Sequence, residues 1–220
     1  MNALANERGS SSRGSVRRVD DISGIAQLFD AETHVVHLRR TLPASVAVEA
    51  ATLVAQPGLR VAALTPLTSA GRAQLRGDRT VGGLSEELWF WAELMGELTG
   101  CTSVGIRCAR LDAAMCPRFH VDRVGVRLVT TLVGPGTEYV ASEHVNRAML
   151  GHAAGGASDD SSGLLRPGAV IARAEAGDVV LMKGESWPGN AGRGAVHRSP
   201  PTQATQACAP RLVVTIDPLA

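Results

Sequence analysis

Apolar residues along the chain change their spacing near position 100. Before it the spacing is helical: Ile22, Ile25, Leu28 and Phe29 recur at three- and four-residue intervals. An Ala-rich run over residues 45–55 predicts a helix stopped by Pro57-Gly58. Ser85-Glu86-Glu87-Leu88 opens the clearest helix, with Ser85 as N-cap, early acids matched to the helix dipole and Gly100 as the stop. After Gly100, short β-branched and apolar runs are punctuated by Gly and Pro. They predict strands over residues 103–111, 124–133, 137–140, 170–172, 178–182, 195–198 and 212–216. Gly134-Pro135-Gly136 and Ala176-Gly177-Asp178 read as tight turns, and residues 151–168 and 199–210 as longer loops.

Strands with no crossover helices between them favour antiparallel pairing in a sandwich or barrel. The predicted fold class is therefore α+β, a β core supported by N-terminal helices. Three stretches follow. Residues 1–18, rich in Ser, Gly, Asn and Arg without periodicity, have the composition of a disordered arm. Residues 19–100 are expected to be mainly helical, and residues 101–220 form the β domain.

Composition narrows the function. The 220 residues are 45% apolar and 20% charged, enough for a core. Lys plus Arg is 22 against 21 Asp plus Glu, so the chain lacks the basic footprint of nucleic-acid or anionic-membrane binding, and neither partner is expected. The start has polar residues where a secretory signal needs an apolar stretch, and the most apolar segment, residues 44–55, is short and carries Glu49. A cytoplasmic protein without a membrane span is the expectation. Cys101, Cys108, Cys116 and Cys208 form no CxxC pair, which fits reduced thiols rather than a zinc ribbon or a redox site. No GxxxxGK[ST], GxGxxG or GxSxG motif is present. The cluster Trp89, Phe90 and Trp91 reads as core packing, because only 7 aromatics occur in the chain and no basic run surrounds these three.

The chemistry-bearing stretch is Cys116-Pro117-Arg118-Phe119-His120-Val121-Asp122. In an extended strand His120 and Asp122 project to one side and can offer an imidazole nitrogen and a carboxylate oxygen to one ion. His197, on a predicted late strand, is the third candidate metal ligand. Two His and one carboxylate with the remaining positions open is the arrangement of non-haem ferrous oxygenases.

The order His120-x-Asp122, His197 after 75 residues and Arg211 after 14 more resembles the HxD…H…R pattern of the 2-oxoglutarate and Fe(II)-dependent dioxygenases. The resemblance implies a double-stranded β-helix, or jelly roll, over residues 101–220. It also implies Fe(II) on His120, Asp122 and His197, and 2-oxoglutarate paired with Arg211. Tyr139, the only tyrosine, is a further candidate to meet the bound acid. Through CPRFHVD, RLVTTLVGPGTEYV, GDVVLMKGESWPGN, GAVHRSPP and RLVVTIDP the chain is also similar to an uncharacterised bacterial family of unknown function. It departs from the dioxygenase pattern at Val213, where many members carry a hydroxyl two residues after the arginine.

Alternatives remain open at this level. Cys116 offers a soft fourth ligand, which would favour a non-oxidative, zinc-handling protein, although it also reads as a small buried hydrophobe. A jelly-roll interaction domain without metal is the third reading. His34, His37, His144 and His152 read as solvated histidines. Lys183, Glu185, Ser186, Trp187 and Asn190 either line a barrel mouth or form a turn-rich connector. Substrate and oligomeric state are not written in the sequence.

Overall fold

The computed structural model describes residues 14–151, 155–200 and 209–219. A large sheet and a small one face each other, with helices on the outer side of the large sheet, an α+β arrangement. The seven-stranded sheet is built from β1 (Val16–Val19), β2 (Val35–Leu38), β3 (Arg60–Pro66), β4 (Ser103–Leu111), β5 (Val126–Val133), β8 (Val179–Lys183) and β10 (Arg211–Leu219), in the order β1-β2-β8-β5-β10-β4-β3. The three-stranded sheet is β6 (Glu138–Val140), β7 (Ile171–Arg173) and β9 (Val196–Arg198), in the order β7-β6-β9. Pairing is antiparallel except between β1 and β2.

The strand period sorts side chains between two cores. On β10, Leu212, Val214 and Ile216 enter the core beneath the helices, and Val213 belongs to the space between the sheets. The helices α1 (Ala44–Val54), α2 (Ser69–Gly77) and α3 (Ser85–Thr99) cover the first face. Leu53 of α1, Leu75 of α2 and Leu88, Trp89, Trp91 and Met95 of α3 are buried there. The two tryptophans are thus core residues, and Phe90 is exposed beside Trp91. Burying such side chains contributes roughly 1.5–3 kcal/mol each, which is why the helices are held to the sheet.

Four expectations are corrected. The arm over residues 1–18 does not extend that far: Val16–Val19 forms β1, paired in register with β2, and residues 1–13 lie outside the described residues. Residues 19–100 contain three helices but also β2 and β3, both part of the main sheet, so no boundary at 100 separates two layers. Ile22–Phe29 is a 3-10 helix capped by Asp21, and its three-residue period buries Ile25 and Leu28 while leaving Ile22 and Phe29 exposed. Ser85 is not the N-cap of α3, because a 3-10 turn at Gly82–Leu84 runs directly into the helix.

Candidate metal centre

His197 lies in β9, and its backbone exchanges two hydrogen bonds of 3.0 Å with His120. His120 is therefore not in a continuous strand, as the HxD spacing suggested; a single β-bridge aligns it with His197. The two rings lie 4.4 Å apart between centroids. Asp122 follows in a turn whose carbonyl accepts the amide of Glu185 at 2.9 Å. Gly184 makes this approach possible: a Cβ there would lie 2.1 Å from the Val124 carbonyl oxygen and 2.8 Å from that of Asp122.

His120, Asp122 and His197 each offer one ligand atom, and these atoms all lie within 4.8 Å of one another. The imidazole Nδ1 atoms face backbone carbonyls, Arg118 at 2.9 Å for His120 and Ala195 at 3.1 Å for His197. A ring that donates through Nδ1 keeps its lone pair on Nε2, the tautomer a metal requires. Both Nε2 atoms face the carboxylate, at 3.7 Å for His120 and 3.4 Å for His197. Burial pulls the Asp122 carboxyl upward, but the hydrogen bond and charge of His197, with Arg127 and His120, outweigh it and hold the group at about 2. Asp122 is anionic at neutral pH. Burial, followed by the charge of His197, lowers the pKa of His120, which favours the neutral ligand form.

Arg127 was invisible to motif reading. From β5 it donates to Asp122 Oδ2 at 2.8 Å and, through Nε and an Nη, to the two oxygens of Asp217 at 2.7 and 2.8 Å. A charged residue on the same strand face as the buried Val129 was its only signal in the sequence.

A cavity of about 290 Å3 adjoins the cluster, lined by His120, His197, Arg127, Val129, Arg211 and Val213 among others. Arg211 is buried, its Nε donating to the Pro135 carbonyl at 2.6 Å and an Nη to the Thr131 hydroxyl at 3.3 Å. The turn Gly134-Pro135-Gly136 sets that carbonyl, with Gly134 at φ +86° and packed so closely that a Cβ would lie 2.9 Å from Arg211 Cγ. The hydroxyl absent at Val213 is supplied beside the guanidinium by Thr131 of the neighbouring strand.

Tyr139 takes a different place from the one expected. Its hydroxyl meets His37 Nδ1 at 2.7 Å, and His37 Nε2 meets Asp178 at 2.8 Å, a buried chain that does not line the cavity. His34 and His37 are likewise buried, not solvated. Cys116 is exposed, at the edge of the cavity, and is not among the three clustered ligands. Lys183 and Asn190 turn inward to the carbonyls of Asp30 and Gly184, and Ser186 bonds the Arg123 carbonyl, so segment 183–190 is a connector held to its neighbours. His152 and Cys208 lie outside the described residues.

A model of a protein family of unknown function, DUF1826, matches residues 19–217. The chain belongs to the DUF1826 family. Comparison with curated proteins gave no significant sequence match. Among solved structures, this DUF1826 chain is similar to the dioxygenase for auxin oxidation from rice, with TM-score 0.51 and 15% identity, covering 93% of this chain and 82% of that one. It is also similar to a candidate oxygenase from Shewanella oneidensis, with TM-score 0.53 and 8% identity, covering 92% of this chain and 88% of that one. These likenesses show a shared fold. No helix among the described residues is long and apolar enough to cross a membrane.

Proposed function

We propose that this DUF1826 protein is a double-stranded β-helix oxygenase that uses Fe(II) and 2-oxoglutarate. The observation that carries the reading is the convergence of His120, Asp122 and His197, with both Nε2 atoms turned toward the carboxylate, beside a cavity that holds a buried arginine. The donor set fits the metal: two neutral imidazoles and one carboxylate leave positions open, as non-haem ferrous sites do. Cys116 is not among these clustered ligands, which weakens the support for zinc handling through a soft fourth ligand.

His120, Asp122 and His197 would hold the metal, and Arg211 would pair with the distal carboxylate of 2-oxoglutarate. Bound there, the iron and cosubstrate supply the oxidising chemistry, in which 2-oxoglutarate and dioxygen give succinate and carbon dioxide while one oxygen atom enters the substrate. The chain's own residues do the rest. Asp122 contributes the negative charge that offsets the cation, and the carbonyls of Arg118 and Ala195 fix the imidazole tautomers. Pro135 and Thr131 aim the Arg211 guanidinium. Val129 and Val213 present a water-excluding wall, which strengthens these charged contacts.

The test is calorimetry of anaerobically purified protein with Mn(II) and then 2-oxoglutarate, followed by Fe(II)-dependent succinate release. Metal binding and metal-dependent 2-oxoglutarate binding are expected. Asp122→Ala should abolish the first, and Arg211→Ala should weaken the second by about tenfold or more while sparing the first. Equal loss of both in Arg211→Ala would remove the assigned role.

A further inference from the structure

The cavity beside the ligand cluster carries more positive charge than the metal centre and cosubstrate consume. Arg60 of β3, Arg107 of β4, Arg127 of β5 and Arg211 of β10 line it, and no carboxylate does. Among the described residues Asp122 and Asp217 reach Arg127, and Asp217 also reaches Arg107. Arg60, Arg107 and Arg127 against these two carboxylates leave an excess of one positive charge. A divalent metal and the dianion of 2-oxoglutarate cancel each other, so the excess persists when the site is loaded as proposed above.

The excess resides on Arg60 and Arg107. Arg60 is exposed and makes no hydrogen bond or ion pair with the described residues. The Arg107 side chain is 62% exposed, and its single ion pair, 3.3 Å to Asp217 Oδ2, goes to an oxygen already accepting from Arg127 at 2.8 Å. On the β3–β4 ladder Arg60 stands opposite Ala109, and Arg107 opposite Ala62. The two guanidinium-bearing positions therefore share a face as diagonal neighbours, roughly 7–8 Å apart, where two like charges, one unpaired and one sharing its carboxylate, disfavour the pairing. An anion seated between them removes that cost. The lining also includes the apolar Ala109, Leu111, Val129 and Val213, with Met115 exposed at the edge, beside the hydroxyl residues Thr137, Ser199 and Thr215.

We propose that the substrate is a small organic anion. Arg60 and Arg107 clamp its carboxylate or phosphate at the cavity mouth, and its apolar body extends along Ala109 and Leu111 toward His120 and His197. The cavity of about 290 Å3 would be shared with 2-oxoglutarate at Arg211, which limits the substrate body to one ring or a short chain. Identification of this anion as the substrate rests on the oxygenase reading; the anion site itself does not.

Calorimetric titration of the full-length protein with hexanoate, phenylacetate and phenyl phosphate, and with neutral hexanamide and phenylacetamide, separates charge from shape. Each titration is run on metal-free protein and again with Mn(II) and 2-oxoglutarate bound. The carboxylates are expected to bind about tenfold tighter than their amides in both states. Arg60→Gln and Arg107→Gln should each remove most of that preference, Arg60→Lys should retain part of it, and all three should leave 2-oxoglutarate affinity within about twofold. Arg211→Gln should do the reverse. Tighter binding of phenyl phosphate than of phenylacetate assigns the anion as a phosphate, and the opposite order as a carboxylate. Amides that bind as well as acids, anion affinities unchanged in Arg60→Gln and Arg107→Gln, or no saturable binding of any anion would overturn the proposal. Failure of Mn(II) or 2-oxoglutarate to bind, with the anion preference intact in metal-free protein, would sink the oxygenase reading alone.

Discussion

Arg127 is the residue on which the candidate metal centre leans. It holds Asp122 Oδ2 from one side while both oxygens of Asp217 hold it from the other, so the carboxylate is presented at a fixed angle to the two imidazoles. Groups that orient a ligand in this way typically account for 10–100-fold in metal affinity. Arg127→Gln is accordingly expected to weaken Mn(II) binding by about tenfold or more, with Arg127→Lys intermediate; wild-type affinity in the Gln variant would show that Asp122 needs no support. His120, Asp122 and His197 were legible as a motif because ligand chemistry needs particular residue types at particular spacings. Arg127 was not, since its role depends on which strand lies next to Asp122. Tyr139 was misplaced for a related reason: a buried phenol reads the same in sequence whether it faces a cavity or His37.

At the scale of elements, the approach of the turn after β8 to the turn carrying Asp122 is the critical joint. Gly184 is buried there, with no room for a side chain against two carbonyl oxygens. Gly184→Ala should push the two turns apart, lowering both the melting temperature and Mn(II) affinity, whereas Gly189→Ala, strained by its φ of +74° but with no atom within 4 Å of the added Cβ, should lower the melting temperature and spare the affinity. A Gly184→Ala variant with normal metal binding would mean that the backbone near Asp122 adjusts freely. β4, which spans Ser103–Leu111 as expected, could be read because nine residues let its alternation register, and the shorter strands after Gly100 because Gly and Pro turns set them off. β1 and β2 escaped because they flank the helically spaced run Ile22–Phe29, and β2, buried throughout, shows no alternation. Their existence depends on the partners that cover them, which is information held elsewhere in the chain.

For the whole molecule, pH sensitivity is expected through a buried histidine outside the ligand cluster. His34 is held down at about 4 by burial, followed by the charges of Arg193, Arg147 and Lys183, against an ordinary value of 6.5. Between those values the unfolded chain takes up a proton that the folded one refuses, so this contribution is complete above pH 6.5 and declines as pH falls toward 4. The loss expected by pH 5 is on the order of 1–2 kcal/mol. Thermal unfolding from pH 7 to 5 should show a falling melting temperature, with a flatter profile in His34→Gln; parallel profiles would assign the acid sensitivity to other groups. A different kind of reach follows from the fork at Asp217. This aspartate sits near the end of β10, is not one of the three clustered ligands, and still fixes the arginine that sets one of them. A blind genetic screen for inactive alleles would score it beside the proposed ligands themselves, and a map of such hits would trace a line from the β10 terminus to the His120, Asp122 and His197 cluster.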